Sequence, residues 1–218
     1  MSTRSYTILG AGALGAYYGA RLLHAGCDVR FLLRGDYAHV KAHGLRVESM
    51  HGDLKLPEVE AYQEAADLPP SDVAVVAMKT TQSGALAGML PATVKPGGVV
   101  LVLQNGLEPE RAAAELVGAE NVIGGLCFLC SNRVGPGHFR QTRFAHIRIG
   151  EYGTKGITPR LEAIAADFCA GDVETQAMAD LRLARWQKLV WNVPYNGLSA
   201  VLDADTQQQM DHPALAAL

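Results

Sequence analysis

The sequence predicts an α/β fold, a doubly wound and mostly parallel sheet followed by the start of an all-helical C-terminal domain. Three features carry that expectation: apolar strand-length runs without polar alternation, helix-length segments between them, and a change of character near residue 175. Strands covered by helices on both faces read as continuous apolar runs. YTILG at 6–10, DVRFLL at 28–33, VAVVAM at 73–78, VVLVL at 99–103 and NVIGG at 121–125 fit that description. The intervening helices are expected over 13–25, 82–90 and 109–117.

Two stretches interrupt the alternation. LRVES and LKLPEVEAY, at 45–49 and 54–62, read as a short antiparallel insertion. The alternating run SNRVGPGHFRQTRFAHIRIGEY, at 131–152, is expected to close the sheet's edge. A helix over about 158–170 and a strand-like VETQ complete a first domain over 1–175. From 179 to about 201 the chain keeps helical period, so 176–218 is expected to hold the first helix or helices of a second domain. Asp211 and Pro213 look like the N-cap and first turn of one more helix, which would be cut short at Leu218.

Composition narrows the partners. With a formal charge of −3 and scattered basic residues, the chain offers no electrostatic footprint for nucleic acid or an anionic membrane. No apolar run approaches the roughly 20 residues of a membrane span, and nothing resembles a signal peptide, so a cytoplasmic protein with a small-molecule partner is expected. Of the four cysteines, Cys127 and Cys130 form a C-x-x-C pair in the apolar run GGLCFLC. Without a second ligand pair they read as buried structural thiols, and no metal is expected.

Gly10, Gly12 and Gly15 form G-x-G-x-x-G between the first strand and the first helix, the context in which this pattern marks a Rossmann-type dinucleotide site. The first glycine permits a tight turn, the second lets the backbone approach a pyrophosphate, and the third allows close helix–strand packing. Ala13 and Leu14 lie at the helix N-terminus, where free N–H groups and the dipole favour an anion. The second strand ends in Arg34, 19 residues after Gly15, where an NAD site normally carries Asp or Glu. A guanidinium takes a phosphate bidentately, so NADPH/NADP+ is expected over NADH. Asp36 stands two residues further on and retains the option of a ribose contact.

Lys79 and Gln82 follow the strand VAVVAM, and Asn105 follows VVLVL, so all three stand where an open α/β sheet binds its ligands. Lys188, Asn192 and Asn196, spaced four and four, form one stripe on a helix. A lysine there can stabilise the alkoxide left by hydride reduction of a ketone and protonate it, while the asparagines hold a 2-oxo acid.

This combination resembles the ketopantoate reductase family across essentially the whole chain. GAGALGAYYGARL, Arg34, MKTTQ, LQNG and above all WQKLVWNVPYNGLSAV carry the resemblance. It implies that Lys188 is the general acid and that Asn192 and Asn196 bind substrate. It also puts Asn105 between nicotinamide and substrate, Arg34 at the 2′-phosphate, and Lys79 and Gln82 at the cofactor. The reaction implied is NADPH-dependent reduction of 2-dehydropantoate to (R)-pantoate, on the route to pantothenate and coenzyme A, in the crevice between two domains. The family also uses a serine and a glutamate from later in an all-helical C-terminal domain, beyond the last residue here. The alternatives are a reductase or dehydrogenase for another 2-oxo or 2-hydroxy acid, and a non-catalytic NADP-binding sensor. A homodimer is compatible with the sequence, and apolar Leu181, Leu189, Val193 and Leu198 on the long helix favour association.

Overall fold

The computed structural model describes residues 4–216. It opens with β1 (Ser5–Leu9), α1 (Ala13–His24), β2 (Asp28–Leu32) and α2 (Tyr37–His43), followed by the short strands β3 (Leu45–Glu48), β4 (Leu54–Leu56) and β5 (Glu60–Tyr62). β6 (Ser71–Val76), α3 (Leu90–Thr93), β7 (Val94–Val102), α4 (Arg111–Val117) and β8 (Val122–Cys127) continue the alternation. Then come β9 (Cys130–Gly135), β10 (His138–Arg143), β11 (Ile147–Glu151), α5 (Pro159–Ala170) and β12 (Thr175–Met178). Three helices end the chain: α6 (Leu181–Leu202), α7 (Thr206–Asp211) and α8 (Pro213–Ala216).

Eight strands form the main sheet in the order β12-β11-β8-β7-β6-β1-β2-β5. All neighbours pair parallel except β11 with β8. The order reverses at β1, which has β2 on one side and β6 on the other, so a switch-point crevice opens beyond Leu9 and Val76. On the α1 and α5 face, Tyr6, Tyr18 and Phe168 are fully buried and meet edge to face. At the opposite end of the strands, the Asp72 carboxylate accepts from the Ser5 N–H at 2.9 Å, the Ser5 hydroxyl at 2.7 Å and Lys95 Nζ at 2.8 Å, tying β1, β6 and β7 together.

The structure revises several expectations. The 131–152 stretch is divided: β9 and β10 join β3 and β4 in a separate four-stranded sheet, and only β11 enters the main one. Phe144, at φ 52, turns the chain between the two sheets, and β12 forms the outer edge. The helix expected over 82–90 is a 3-10 helix, Thr80–Gly88, followed by the short α3. Gly84 and Gly88 lower α-helix propensity there. Cys130 is exposed, unlike buried Cys127, because β9 belongs to the smaller, more open sheet.

The compact units divide at 181/182 rather than 175/176, because β12 pairs with β11 and Leu181 packs against Gly124 and Gly150. In the second unit a helix does begin at Pro213, as α8, but Asp211 closes α7 instead of capping it, and a capping box is found at the start of α7, between Asp205 and Gln208. Of the four apolar residues expected on the sides of α6, Leu181 is buried, Leu189 and Leu198 are half-buried and Val193 is exposed, and Trp186, Val190, Trp191 and Val201 are exposed with it.

Two measurements check these features. Exposed apolar side chains on α6 should make the 218-residue chain self-associate, giving a light-scattering mass above that of the monomer. A monodisperse monomer would contradict this. Burial pushes the Asp72 carboxyl up, but Lys95 and Ser5 outweigh it and hold the group down at about 2. Its folded value therefore lies below its unfolded value, and the stabilisation is present above the unfolded value and lost as the pH falls through the folded one. The carboxylate is 38% exposed, so solvent screening limits the contribution to about 1 kcal/mol. Asp72→Asn should unfold at lower urea concentration than the wild type at neutral pH, and the gap should narrow below about pH 4.

Candidate functional site

The site is built where β1 turns into α1. Gly10 has φ +95, and a Cβ there would lie 2.8 Å from the Met78 N and Cα atoms, so only glycine lets the turn press against the end of β6. A Cβ at Gly15 would stand 2.4 Å from the Gly10 carbonyl oxygen and 2.9 Å from Ile8 Cγ2, which makes this glycine a packing requirement of α1 on β1. Gly12 meets nothing within 4 Å and leaves open space before the helix. No side chain caps α1, so its first N–H groups remain available to an anionic ligand.

A cavity of about 650 Å³ opens in front of this turn. Gly10, Gly12, Ala13 and Leu14 form one wall, Arg34 and Asp36 a second, and Met78, Lys79 and Gln82 a third. A neighbouring cavity of about 490 Å³ shares Leu32, Arg34 and Met89 and extends past Gln63, Glu64, Ala65 and Ala66 at the end of β5. The two form one groove along the carboxyl ends of β5, β2, β1 and β6. Arg34 is exposed, and its guanidinium makes no hydrogen bond or ion pair among the described residues.

The third wall is tied down by buried Gln104, whose side-chain amide donates to the Met78 carbonyl at 3.0 Å and to Ser83 Oγ at 3.1 Å. Asn105 follows, exposed, with its carbonyl accepting from Thr80 Oγ1 at 3.2 Å. Asn105 therefore lies beside the Lys79–Gln82 segment but does not line the 650 Å³ cavity. Gly15 is also absent from the lining, because it is buried behind the turn.

Arg133 enters the same cavity from β9, which sequence reasoning missed. Its Nε donates to Asp36 Oδ2 at 2.8 Å and its Nη2 to Asp36 Oδ1, and the Gly137 N–H donates to Oδ2 at 3.3 Å. Arg133 and the Gly137 N–H hold the Asp36 carboxyl below its ordinary value, against a smaller opposing effect of burial. The carboxylate left open as a ribose contact is thus occupied. Nothing in the sequence around residue 133 signals this, since the partners lie 97 positions apart.

In the second unit, Lys188, Asn192 and Asn196 lie on one uninterrupted helix, α6, at the expected four-residue spacing. Lys188 and Asn192 are half-buried and Asn196 is exposed. The helix continues through Pro194, which lacks the N–H that would bond to the Val190 carbonyl. Among the described residues no group of three or more His, Cys, Asp or Glu could hold a metal ion.

Comparison with known proteins agrees with this geometry. The family profile described as ketopantoate reductase PanE/ApbA matches residues 6–154, and the profile for that family's C-terminal part matches 180–218. A Nostoc protein named 2-dehydropantoate 2-reductase is 51% identical over 96% of this chain and 67% of its own. The crystal structure of 2-dehydropantoate 2-reductase from Geobacter metallireducens superposes with a TM-score of 0.94 at 41% identity, over 98% of this chain and 70% of that one. A putative ketopantoate reductase from Ralstonia solanacearum gives 0.88 at 29% identity, over all of this chain and 73% of that one.

Gly10→Ala tests the turn. The added Cβ meets the Met78 backbone, so we expect a loss of about 1–3 kcal/mol in urea unfolding, typical of overpacking, together with loss of nucleotide binding. An unchanged midpoint would show that the turn relaxes freely.

Proposed function

The chain belongs to the ketopantoate reductase family, and from that premise we propose that it reduces 2-dehydropantoate to (R)-pantoate with NADPH, a step toward pantothenate and coenzyme A. The observation that carries this reading is the 51% identity to a 2-dehydropantoate 2-reductase over nearly the whole chain. The groove suits the cofactor: the Gly10 and Gly15 close approaches leave no room for side chains, and Arg34 offers an uncommitted guanidinium where a 2′-phosphate would lie.

Residues 1–181 form the NADP-binding part in this reading, and the helical unit from 182 supplies groups for the substrate. Gly10, Gly12, Ala13 and Leu14 cradle the pyrophosphate where β1 turns into α1, and Gly15 behind them serves the cofactor site by letting the helix pack close to β1. Arg34 meets the 2′-phosphate, and Lys79, Gln82 and Asn105 contact the ribose and nicotinamide side. NADPH supplies the hydride that reduces the ketone. Lys188 stabilises the negative charge growing on the substrate oxygen and gives it a proton. Asn192 and Asn196 hold the substrate's hydroxyl and carboxylate. No described helix is long and apolar enough to cross a membrane, and water-soluble substrate and cofactor suit work in the cytoplasm.

The test follows NADPH absorbance with 2-dehydropantoate and a panel of other 2-oxo acids. Turnover should be fastest with 2-dehydropantoate, and Lys188→Ala should lower kcat by about 100-fold or more while leaving the NADPH Kd nearly unchanged, as expected for loss of a general acid. Preference for another acid would move the substrate assignment. Tight NADPH binding with no turnover would favour a sensor.

A further inference from the structure

The groove holds two arginines in different states. Arg34 is uncommitted among the described residues, whereas Arg133 spends two donors on the two oxygens of Asp36, with the Gly137 N–H adding a third bond. Asp36 stands two residues beyond Arg34, at the turn between β2 and α2. A carboxylate at the end of this strand is the group that accepts ribose hydroxyls in NAD sites and repels a 2′-phosphate in NADP sites. The chain therefore carries both an NADP-type cation and an NAD-type anion at one ribose site. In the folded protein, the anion is turned toward the β9–β10 hairpin.

The geometry points to Arg133 as a positioning residue for cofactor choice: by holding both oxygens of Asp36 it withdraws that carboxylate from the ribose and leaves Arg34 to set the preference for a phosphorylated dinucleotide. This rests on the NADPH reading above. Arg133 acts through Asp36, so removing Arg133 alone should do more harm than removing both. Arg133 is half exposed but the Asp36 side chain is only 11% exposed, so binding is read together with melting to separate cofactor choice from folding. With the guanidinium gone, Asp36 regains free acceptors beside Arg34. It can then bond ribose hydroxyls or pair with Arg34 itself, and both changes work against the phosphate.

The experiment is a fluorescence titration of NADPH and NADH against wild type, Arg133→Met, Asp36→Asn and the double variant, with circular dichroism melting to confirm folding. Arg133→Met should lower the NADPH-over-NADH preference about tenfold, the size expected of one like-charge contact at a partly solvated site. NADPH should weaken and NADH should tighten. Asp36→Asn should keep the preference, and the double variant should return to within about threefold of Asp36→Asn, the non-additivity of a coupled pair. An unchanged preference in Arg133→Met overturns the inference. A double variant as poor for NADPH as Arg133→Met also overturns it, because Arg133 would then be a direct phosphate ligand. A wild type that binds neither dinucleotide defeats the cofactor reading itself and this inference with it.

Discussion

The contact on which the site depends is the approach of the Gly10 backbone to Met78. It occurs at the reversal of strand order, where β1 separates β2 from β6. With any side chain at Gly10 the turn would be pushed off the end of β6. Because the turn lies flat, the start of α1 faces open space at Gly12, and Lys79 leaves β6 beside it. Gln104 then links the end of β7 to the same Met78 carbonyl. Three strand ends are fixed around one residue, and this preorganisation gives a ligand a formed groove to enter.

The smaller sheet also serves the groove, although its strands share no hydrogen bonds with the main sheet. Arg21 on α1 is almost fully buried, and its guanidinium donates to Ser49 Oγ and the Gly52 carbonyl at 2.9 Å and to the His51 carbonyl at 3.2 Å. A buried guanidinium carries a large desolvation cost, offset here by these bonds and by Asp172 at 3.6 Å. The hairpin of β3 and β4 is thereby fastened to α1. On the far side of the same sheet, Arg133 and Gly137 close on Asp36. β3, β4, β9 and β10, drawn from both stretches that interrupt the sequence pattern, thus form one sheet whose Arg133 supplies charge to the groove.

What could be read from the sequence follows the range of the interactions. The glycine turn, Arg34, and the positions of Lys79 and Gln82 are consequences of local strand–turn–helix order, so spacing alone located them and the groove gathers them. The stripe on α6 is likewise local, a matter of helical period. Reading failed where distant segments decide. The division of 131–152 between two sheets depends on β10 pairing with β3, almost a hundred residues earlier, and Arg133 finds Asp36 through that pairing. The misread helix over 82–90 had a local cause, glycines at 84 and 88, whose cost outweighed an apolar period.

The helical unit poses a different physical problem, because its long helix carries a proline between two of the residues assigned to substrate. Pro194 removes one helical hydrogen bond, and a helix weakened there would not hold Asn192 and Asn196 at a fixed spacing. Gln209, itself buried, answers this from α7. Its side-chain amide donates to the Tyr195 carbonyl at 3.3 Å, to Ser199 Oγ at 2.6 Å and to the Ala204 carbonyl at 3.1 Å. The first of these acceptors directly follows the proline, Ser199 lies one turn further along α6 and Ala204 just beyond its end, so one side chain ties the segment after the proline together. The capping box at Asp205 in turn fixes the start of α7 and hence the reach of Gln209. A short helix with little apolar core of its own therefore contributes by polar geometry, keeping Asn196 in register with Asn192 and Lys188.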